Sequence, residues 1–213
     1  MYWNDHKKLE GTHAFLGAST YSWINWTDTL FEQRFKSQYA TTIGTAIHEL
    51  ASKCIKSRIK LNPGDVNLIK VTLSNVGVPK SVYNAEDILT NLIPFVNDSI
   101  GYHMQSEVIL YYSMFCYGTT DAIGYDEKNK ILRVHDYKSG ANPAKIEQLH
   151  IYTALFCLEY HVSPKSLRGI ENRIYQNFEV LEDFPTAETI EKYMELIKSR
   201  SEMAQKLYER DIE

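Results

Sequence analysis

Apolar residues recur every three or four positions in several stretches of the chain, which is the spacing that places them on one side of a helix. The spacing predicts helices over 41–60, 85–100 and 143–160, and a last helix that starts near Thr186. Pro94 predicts a kink or a break in the second of these helices, because proline lacks the N–H that a helix interior needs. Helices therefore occupy both halves of the chain.

Between the second and third helices the pattern changes to β-branched and aromatic residues, which are typical of strands. We expect strands over 107–112, 115–125 and 130–138, and a fourth over 167–178. Residues 126–129, Asp-Glu-Lys-Asn, have the composition of a hairpin turn between the second and third strands. This order of elements predicts an α/β fold with a central mixed β-sheet flanked by helices, preceded by an N-terminal helical part.

The length and composition fit one folded unit. The chain has 213 residues, of which 44% are hydrophobic and 23% charged, and these values are ordinary for a globular protein. No internal repeat and no long linker divides it. We therefore predict a single domain over 1–213, mainly helical over 1–100 and with the α/β core over 101–213.

The charge and the cysteines exclude some classes of protein. The formal net charge is −4, whereas a protein that coats DNA non-specifically is usually basic. Cys54, Cys116 and Cys157 are widely spaced and contain no CxxC pair, which argues against a disulfide framework or a zinc site and fits a reducing cytoplasm. No apolar run approaches the roughly 20 residues that span a bilayer. We expect a soluble, cytoplasmic protein without a membrane partner.

Three residues near the predicted hairpin point to chemistry. Asp136 and Lys138 are two apart at the end of the third predicted strand, so their side chains project to the same face. Asp121 lies on the preceding strand and can approach the same point across the hairpin. Two carboxylates beside one lysine suit a hard divalent cation with oxygen ligands. A purely structural ion pair between Asp136 and Lys138 is the alternative.

Three further residues are candidates by their position. Gln148 and Tyr152 are four apart on the helix that follows the third strand, and so share one face of it. An ordinary helix surface with an inward tyrosine would look the same. His48 lies at the edge of the apolar stripe of the first helix, with the small residues Gly44 and Ser52 one turn away on either side. A core or surface histidine without a function remains the alternative there.

Taken in order, these motifs resemble those of the RecB-like nucleases of the PD-(D/E)xK superfamily. The resemblance covers about residues 41–160. In length and motif order the chain is also similar to small stand-alone nucleases encoded by phages. Each motif is degenerate, but four of them in this order are fairly specific. The motifs are Gly44-x-x-x-His48, Gly118-Thr119-Thr120-Asp121, Asp136-Tyr137-Lys138 and Gln148-x-x-x-Tyr152.

The resemblance implies a restriction-endonuclease-like core and a role for each motif. Asp121 and Asp136 would bind one or two Mg²⁺ or Mn²⁺ ions. Additional ligands would be His48 and the backbone carbonyl of Tyr137, and Glu107 is a further candidate. Lys138 would orient or deprotonate the attacking water, and Gln148 and Tyr152 would steady the lysine and the DNA strand. The four cysteines that hold an iron–sulfur cluster in some relatives are missing, so no cluster is expected.

Several functions share such a core. The leading hypothesis is an exonuclease that acts on DNA ends or single strands in recombination, repair or phage DNA processing. It would work in the host cytoplasm if the chain is phage-encoded, with a recombination or phage replication protein as a possible partner. Tyr21, Trp23 and Trp26 could stack bases, or could form a helical cap packed on the core. A structure-specific or nicking endonuclease, and a non-catalytic DNA-binding or assembly subunit, are the competing hypotheses.

Overall fold

The computed structural model describes residues 4–140 and 143–210, and its helices and strands alternate in the second half of the chain. The helices are α1 (Asp28–Ser37), α2 (Ala40–Ser57), α3 (Val66–Asn75), α4 (Ala85–Gly101), α5 (Glu147–Glu159) and α6 (Ala187–Arg210). The strands are β1 (Gln105–Ser113), β2 (Cys116–Asp126), β3 (Ile131–Tyr137), β4 (Gly169–Gln176) and β5 (Glu179–Asp183). The predicted α/β architecture, with a central mixed sheet flanked by helices, is confirmed.

The five strands form one sheet in the order β1-β2-β3-β4-β5. Strands β3 and β4 run parallel, and α5 connects them, whereas the other neighbouring pairs are antiparallel. The predicted hairpin between β2 and β3 is confirmed, because Ala122 pairs with His135 and the turn is closed by the Asn129 N–H donating to Asp126 Oδ1 at 2.9 Å. Strand β5 was not predicted. It has only five residues, and most of them are exposed at the edge of the sheet.

Helix ends follow from their capping residues. The Thr186 hydroxyl accepts the Thr189 N–H at 3.2 Å, so the predicted start of the last helix is confirmed. Pro94 lies inside α4, which continues from Ala85 to Gly101, so of the two predicted alternatives the break is wrong and the kink stays a prediction. Helix α5 begins at Glu147, four residues after the predicted start, and α1 and α3 were not predicted. No helix among residues 4–140 and 143–210 is both long and apolar enough to cross a membrane.

The sheet is covered on both faces. Helices α2, α3 and α4 form one apolar cluster, which includes Tyr137 and Tyr175 from the sheet. Helices α5 and α6 form the second cluster on the other face, with Leu132 and Val134 of β3 at its centre. Both faces of β3 are therefore buried, and Asp136 at its end is 2% exposed.

The described N-terminal residues pack mainly against one another. Phe15 contacts three aromatic rings, with centroids 5.8 Å away for Trp26, 5.5 Å for Phe31 and 5.6 Å for Phe35. No described residue before Ala46 is buried. The expected helical cap that buries its aromatic side chains against the core is therefore not found, and Tyr21 is 69% exposed.

Candidate functional site

Helices α2 and α5 meet the first three strands around an open cleft of about 790 Å³. Seven of the predicted site residues line it. They are His48, Glu107, Asp121, Asp136, Lys138, Gln148 and Tyr152. The fold thus brings together residues that are more than 100 positions apart in the sequence.

The geometry of the β2–β3 hairpin explains why the two aspartates meet. The ladder between these strands ends at the pair Ala122 and His135, and Asp121 and Asp136 are the next residues on either strand. Asp121 Oδ2 accepts a hydrogen bond from the Tyr137 N–H at 2.8 Å, which ties the end of β2 to the end of β3. The carbonyl of Tyr137, the predicted backbone ligand, belongs to the same segment between Asp136 and Lys138.

Lys138 is the centre of a chain of polar contacts. Its ammonium lies 3.1 Å from Asp136 Oδ1 and donates to Gln148 Oε1 at 3.0 Å. The Gln148 amide in turn donates to the Tyr152 hydroxyl at 3.3 Å. Gln148 and Tyr152 share one face of α5, as their spacing predicts. With its side chain 32% exposed, Lys138 is held in place but still open to the cleft.

Asp136 is a carboxylate that is removed from water. Its Oδ2 is buried without a directed hydrogen bond, although the Lys138 ammonium lies 3.0 Å away. Burial and the nearby charge of Asp121 raise the pKa of Asp136 to about 6, and the Lys138 charge opposes that rise. A second cation beside the two carboxylates would stabilise their ionised forms.

His48 enters the site from the middle of α2. Its Nδ1 lies 3.2 Å from Asp121 Oδ1. Burial favours the neutral ring, but the hydrogen bond and the charge of Asp121 outweigh it, so the pKa of His48 is raised. Gly44 lies one turn earlier, where an added Cβ would be 3.4 Å from Ser139 Oγ. This is an ordinary contact distance, so a small side chain would also fit between α2 and Ser139.

Glu107 completes a cluster of potential metal ligands. Each of His48, Glu107 and Asp121 offers one potential ligand atom, and these three atoms lie within 4.8 Å of one another. Glu107 has a φ of 56°, a left-handed conformation that costs a residue with a side chain roughly 1 kcal/mol. Burial, followed by the charge of Asp121, raises the pKa of its carboxyl. Carboxylate oxygens and an imidazole, with Asp136 beside them, form a donor set that fits Mg²⁺ or Mn²⁺.

Other residues of the cleft were not predicted. Lys53 and Lys56 line it from α2, and Thr119 lines it from β2. Ser52 and Lys56 lie four and eight residues after His48, so the helical spacing places them on its face. Ser52 Oγ is 3.0 Å from Ser106 Oγ, a contact that fixes α2 against β1. The spacing in the sequence shows which residues share a face of α2. It does not show the direction in which α2 crosses the sheet, which decides whether that face meets the cleft.

Comparisons with protein-family models, curated proteins and solved structures find no significant match to this chain. The function of the protein must therefore be inferred from the geometry of the cleft and the order of the motifs. The residues of all four motifs contribute to one surface, with Gly118 against Tyr152 and Gly44 against Ser139.

Proposed function

We propose that the protein is a metal-dependent DNA nuclease with a restriction-endonuclease-like core, which hydrolyses phosphodiester bonds at DNA ends or in single strands. One observation carries the proposal. Asp121, Asp136 and Lys138 converge at the ends of two paired strands, beside the ligand atoms of His48 and Glu107 in an open cleft.

The metal site would be formed by His48, Glu107, Asp121 and Asp136, with the Tyr137 carbonyl as a further ligand. A bound Mg²⁺ or Mn²⁺ supplies Lewis-acid activation of water and neutralises the charge that develops on the phosphate. The buried Oδ2 of Asp136 supports this assignment, because it has no directed hydrogen bond and the Lys138 ammonium, 3.0 Å away, is its one cationic neighbour among the described residues. A metal ion beside it would stabilise the ionised carboxylate further.

Lys138 would act directly on the reacting groups. Asp136 and Gln148 hold its ammonium at the wall of the cleft. From there it can orient the attacking water by hydrogen bonding and offset negative charge on the phosphate. Tyr152 positions Gln148 and therefore acts through it, since the two side chains are hydrogen-bonded.

The resemblance to RecB-like nucleases supports action on DNA ends. Such an exonuclease degrades linear DNA and leaves covalently closed circular DNA intact. An endonuclease would cut both. The distinction therefore requires both substrates in the same assay.

A direct test uses end-labelled linear and circular DNA with Mn²⁺ or EDTA, and compares the wild type with Lys138→Ala. We expect Mn²⁺-dependent degradation of linear DNA and a loss of about 10²–10⁴-fold in Lys138→Ala. Lys128→Ala is the matched control, because Lys128 is exposed in the β2–β3 turn. Cleavage that persists in EDTA or in Lys138→Ala would contradict the mechanism.

A further inference from the structure

An exposed apolar face lies on the β1–β2 hairpin, outside the cleft. Ile109, Tyr111 and Tyr117 are 61%, 50% and 64% exposed. Tyr111 and Tyr117 are paired across the two strands, and their rings are stacked with centroids 6.3 Å apart and planes 26° from parallel. We call this patch, formed by the two tyrosines and the neighbouring Ile109, the tyrosine platform. Apolar rings grouped on an exposed face are typical of a binding surface.

The tyrosine platform is continuous with the cleft. Thr119 lines the cleft and pairs with Ile109 across the hairpin. Tyr117 is two residues before Thr119, so the strand alternation places both on one side. Asp121 follows two residues later, and the four steps along the strand from Tyr117 to Asp121 span about 13 Å. A flexible polymer in the cleft would therefore reach the platform within a few of its units.

Lysines of the cleft could contact a polyanion. Lys53 and Lys56 line the cleft from α2, and Lys56 is close enough to Glu107 for its charge to lower the pKa of that carboxyl. Within the part of the chain that the structure describes, neither ammonium lies within 4.0 Å of a carboxylate. Lysines in the cleft and exposed aromatic rings on the adjoining strand face are the two components that bind single-stranded nucleic acids, since lysines contact phosphates and rings stack with bases.

The edge of β1 is less suited to the addition of another strand. Strand β1 lies at the edge of the sheet, where unpaired backbone groups can accept a further strand. The N–H of Tyr111 already donates to Glu159 Oε2 at 2.8 Å, which occupies one of these groups in the platform's own strand. The face, rather than the edge, is therefore the available surface.

We propose that the tyrosine platform stacks the unpaired bases of a single DNA strand whose phosphates enter the cleft. This inference rests on the proposed nuclease function, and it makes single-stranded DNA the preferred substrate. A duplex hides its bases in the base-pair stack, so it cannot use the platform.

The test measures binding apart from cleavage. Fluorescence anisotropy in EDTA compares labelled oligo(dT) with a fully paired hairpin, for the wild type and for Tyr111→Ala/Tyr117→Ala. We expect the double variant to lose at least about tenfold in affinity for oligo(dT), with little change for the hairpin. Tyr160→Ala is the matched control, because Tyr160 is 54% exposed and lies against Phe156 away from the cleft. Ultraviolet crosslinking of 5-iodouracil-substituted oligo(dT) should modify Tyr111 or Tyr117.

The outcomes separate the two proposals. Equal oligo(dT) affinity of the double variant and Tyr160→Ala would overturn the platform, and so would a wild type that does not bind oligo(dT). Platform-dependent binding without Mn²⁺-dependent cleavage would keep the platform and refute the nuclease. If Tyr111→Ala/Tyr117→Ala unfolds, the crosslinked residue and the binding of Tyr111→Phe/Tyr117→Phe decide, since phenylalanine keeps the stacking surface.

Discussion

At the scale of single residues, Asp136 is the side chain whose surroundings constrain the chemistry most. The fold buries it, places Asp121 beside it and supplies one ammonium from Lys138. Burial and the charge of Asp121 outweigh the effect of Lys138 and raise the pKa of Asp136 to about 6, which is much closer to neutral pH than the ordinary value for aspartate. A metal ion at this site must therefore compete with a proton.

Metal affinity should fall as the pH falls through about 6. Below that pH Asp136 is protonated in the metal-free protein, and the raised pKa of His48 acts in the same direction because a metal ligand must be neutral imidazole. We expect Mn²⁺ affinity to drop by up to about tenfold per pH unit for each proton displaced. Isothermal titration calorimetry between pH 7.5 and 5 measures it, and an affinity that is constant over this range would refute the prediction.

Glu107 shows a different kind of constraint, in the backbone. A left-handed conformation within a strand is unfavourable for any residue that has a Cβ, yet here it coincides with a side chain that faces His48 and Asp121. Unfavourable backbone geometry is often retained at functional sites. Nothing in the sequence indicates this conformation, since glutamate is not a residue that favours it.

At the scale of elements, the site depends on how closely β2 and α5 approach each other. An added Cβ at Gly118 would lie 3.0 Å from Tyr152 Cε1, closer than side chains normally come. Gly118 thus leaves room for the tyrosine that holds Gln148. The close approach of β2 and α5 therefore requires that position 118 has no side chain.

Gly118→Ala should therefore reduce activity without unfolding the protein. The new methyl group would displace the Tyr152 ring, weaken the Gln148 contact and leave Lys138 less well oriented, with an expected loss of about tenfold or more. In a Tyr152→Ala background the clash is gone, so Gly118→Ala should have little further effect. Cleavage rates of the four proteins in this double-mutant cycle measure the coupling, and strictly additive losses would contradict it.

The elements also show which parts of the fold the sequence can predict. The β2–β3 hairpin was predictable because its alternation and its turn residues agree, and this pairing alone brings Asp121 next to Asp136. Strand β5 was not, because its five residues are mostly exposed and show no alternation of buried and exposed positions, even though Val180 and Leu181 are apolar. Lys53 and Lys56 line the cleft because of the way α2 crosses the sheet. That crossing depends on long-range packing and cannot be read from the spacing of residues within the helix.

At the scale of the whole molecule, the N-terminal part is separate from the packing of the sheet. Burial starts at Ala46, whereas the aromatic rings of Phe15 and its neighbours contact one another. Tyr39 and Ile43 are exceptions, since both are partly buried and pack against the cluster of α2, α3 and α4. Stability of the core should therefore come almost entirely from residues after 38.

Deletion of residues 1–38 should leave a folded core. We expect the thermal midpoint to change by a few degrees at most, because none of the described residues 4–38 has a buried side chain. Ile47→Ala provides the contrast, since Ile47 is fully buried and its truncation should cost about 2–5 kcal/mol. Circular dichroism during heating measures both, and unfolding of the deletion variant at room temperature would refute the prediction. Loss of oligo(dT) binding by this variant would favour base stacking by Tyr21 and Trp23.

The spread of the site along the chain has a consequence for protein synthesis. The cleft takes His48 from α2 and Tyr152 from α5, and β3 pairs with β4, which ends at Gln176. A growing polypeptide that stops before α5 has the aspartates but no Gln148 to hold Lys138. By the proposed mechanism, a chain still on the ribosome would thus be unable to damage nearby nucleic acid, and the proposed activity would arise only when most of the protein has been made.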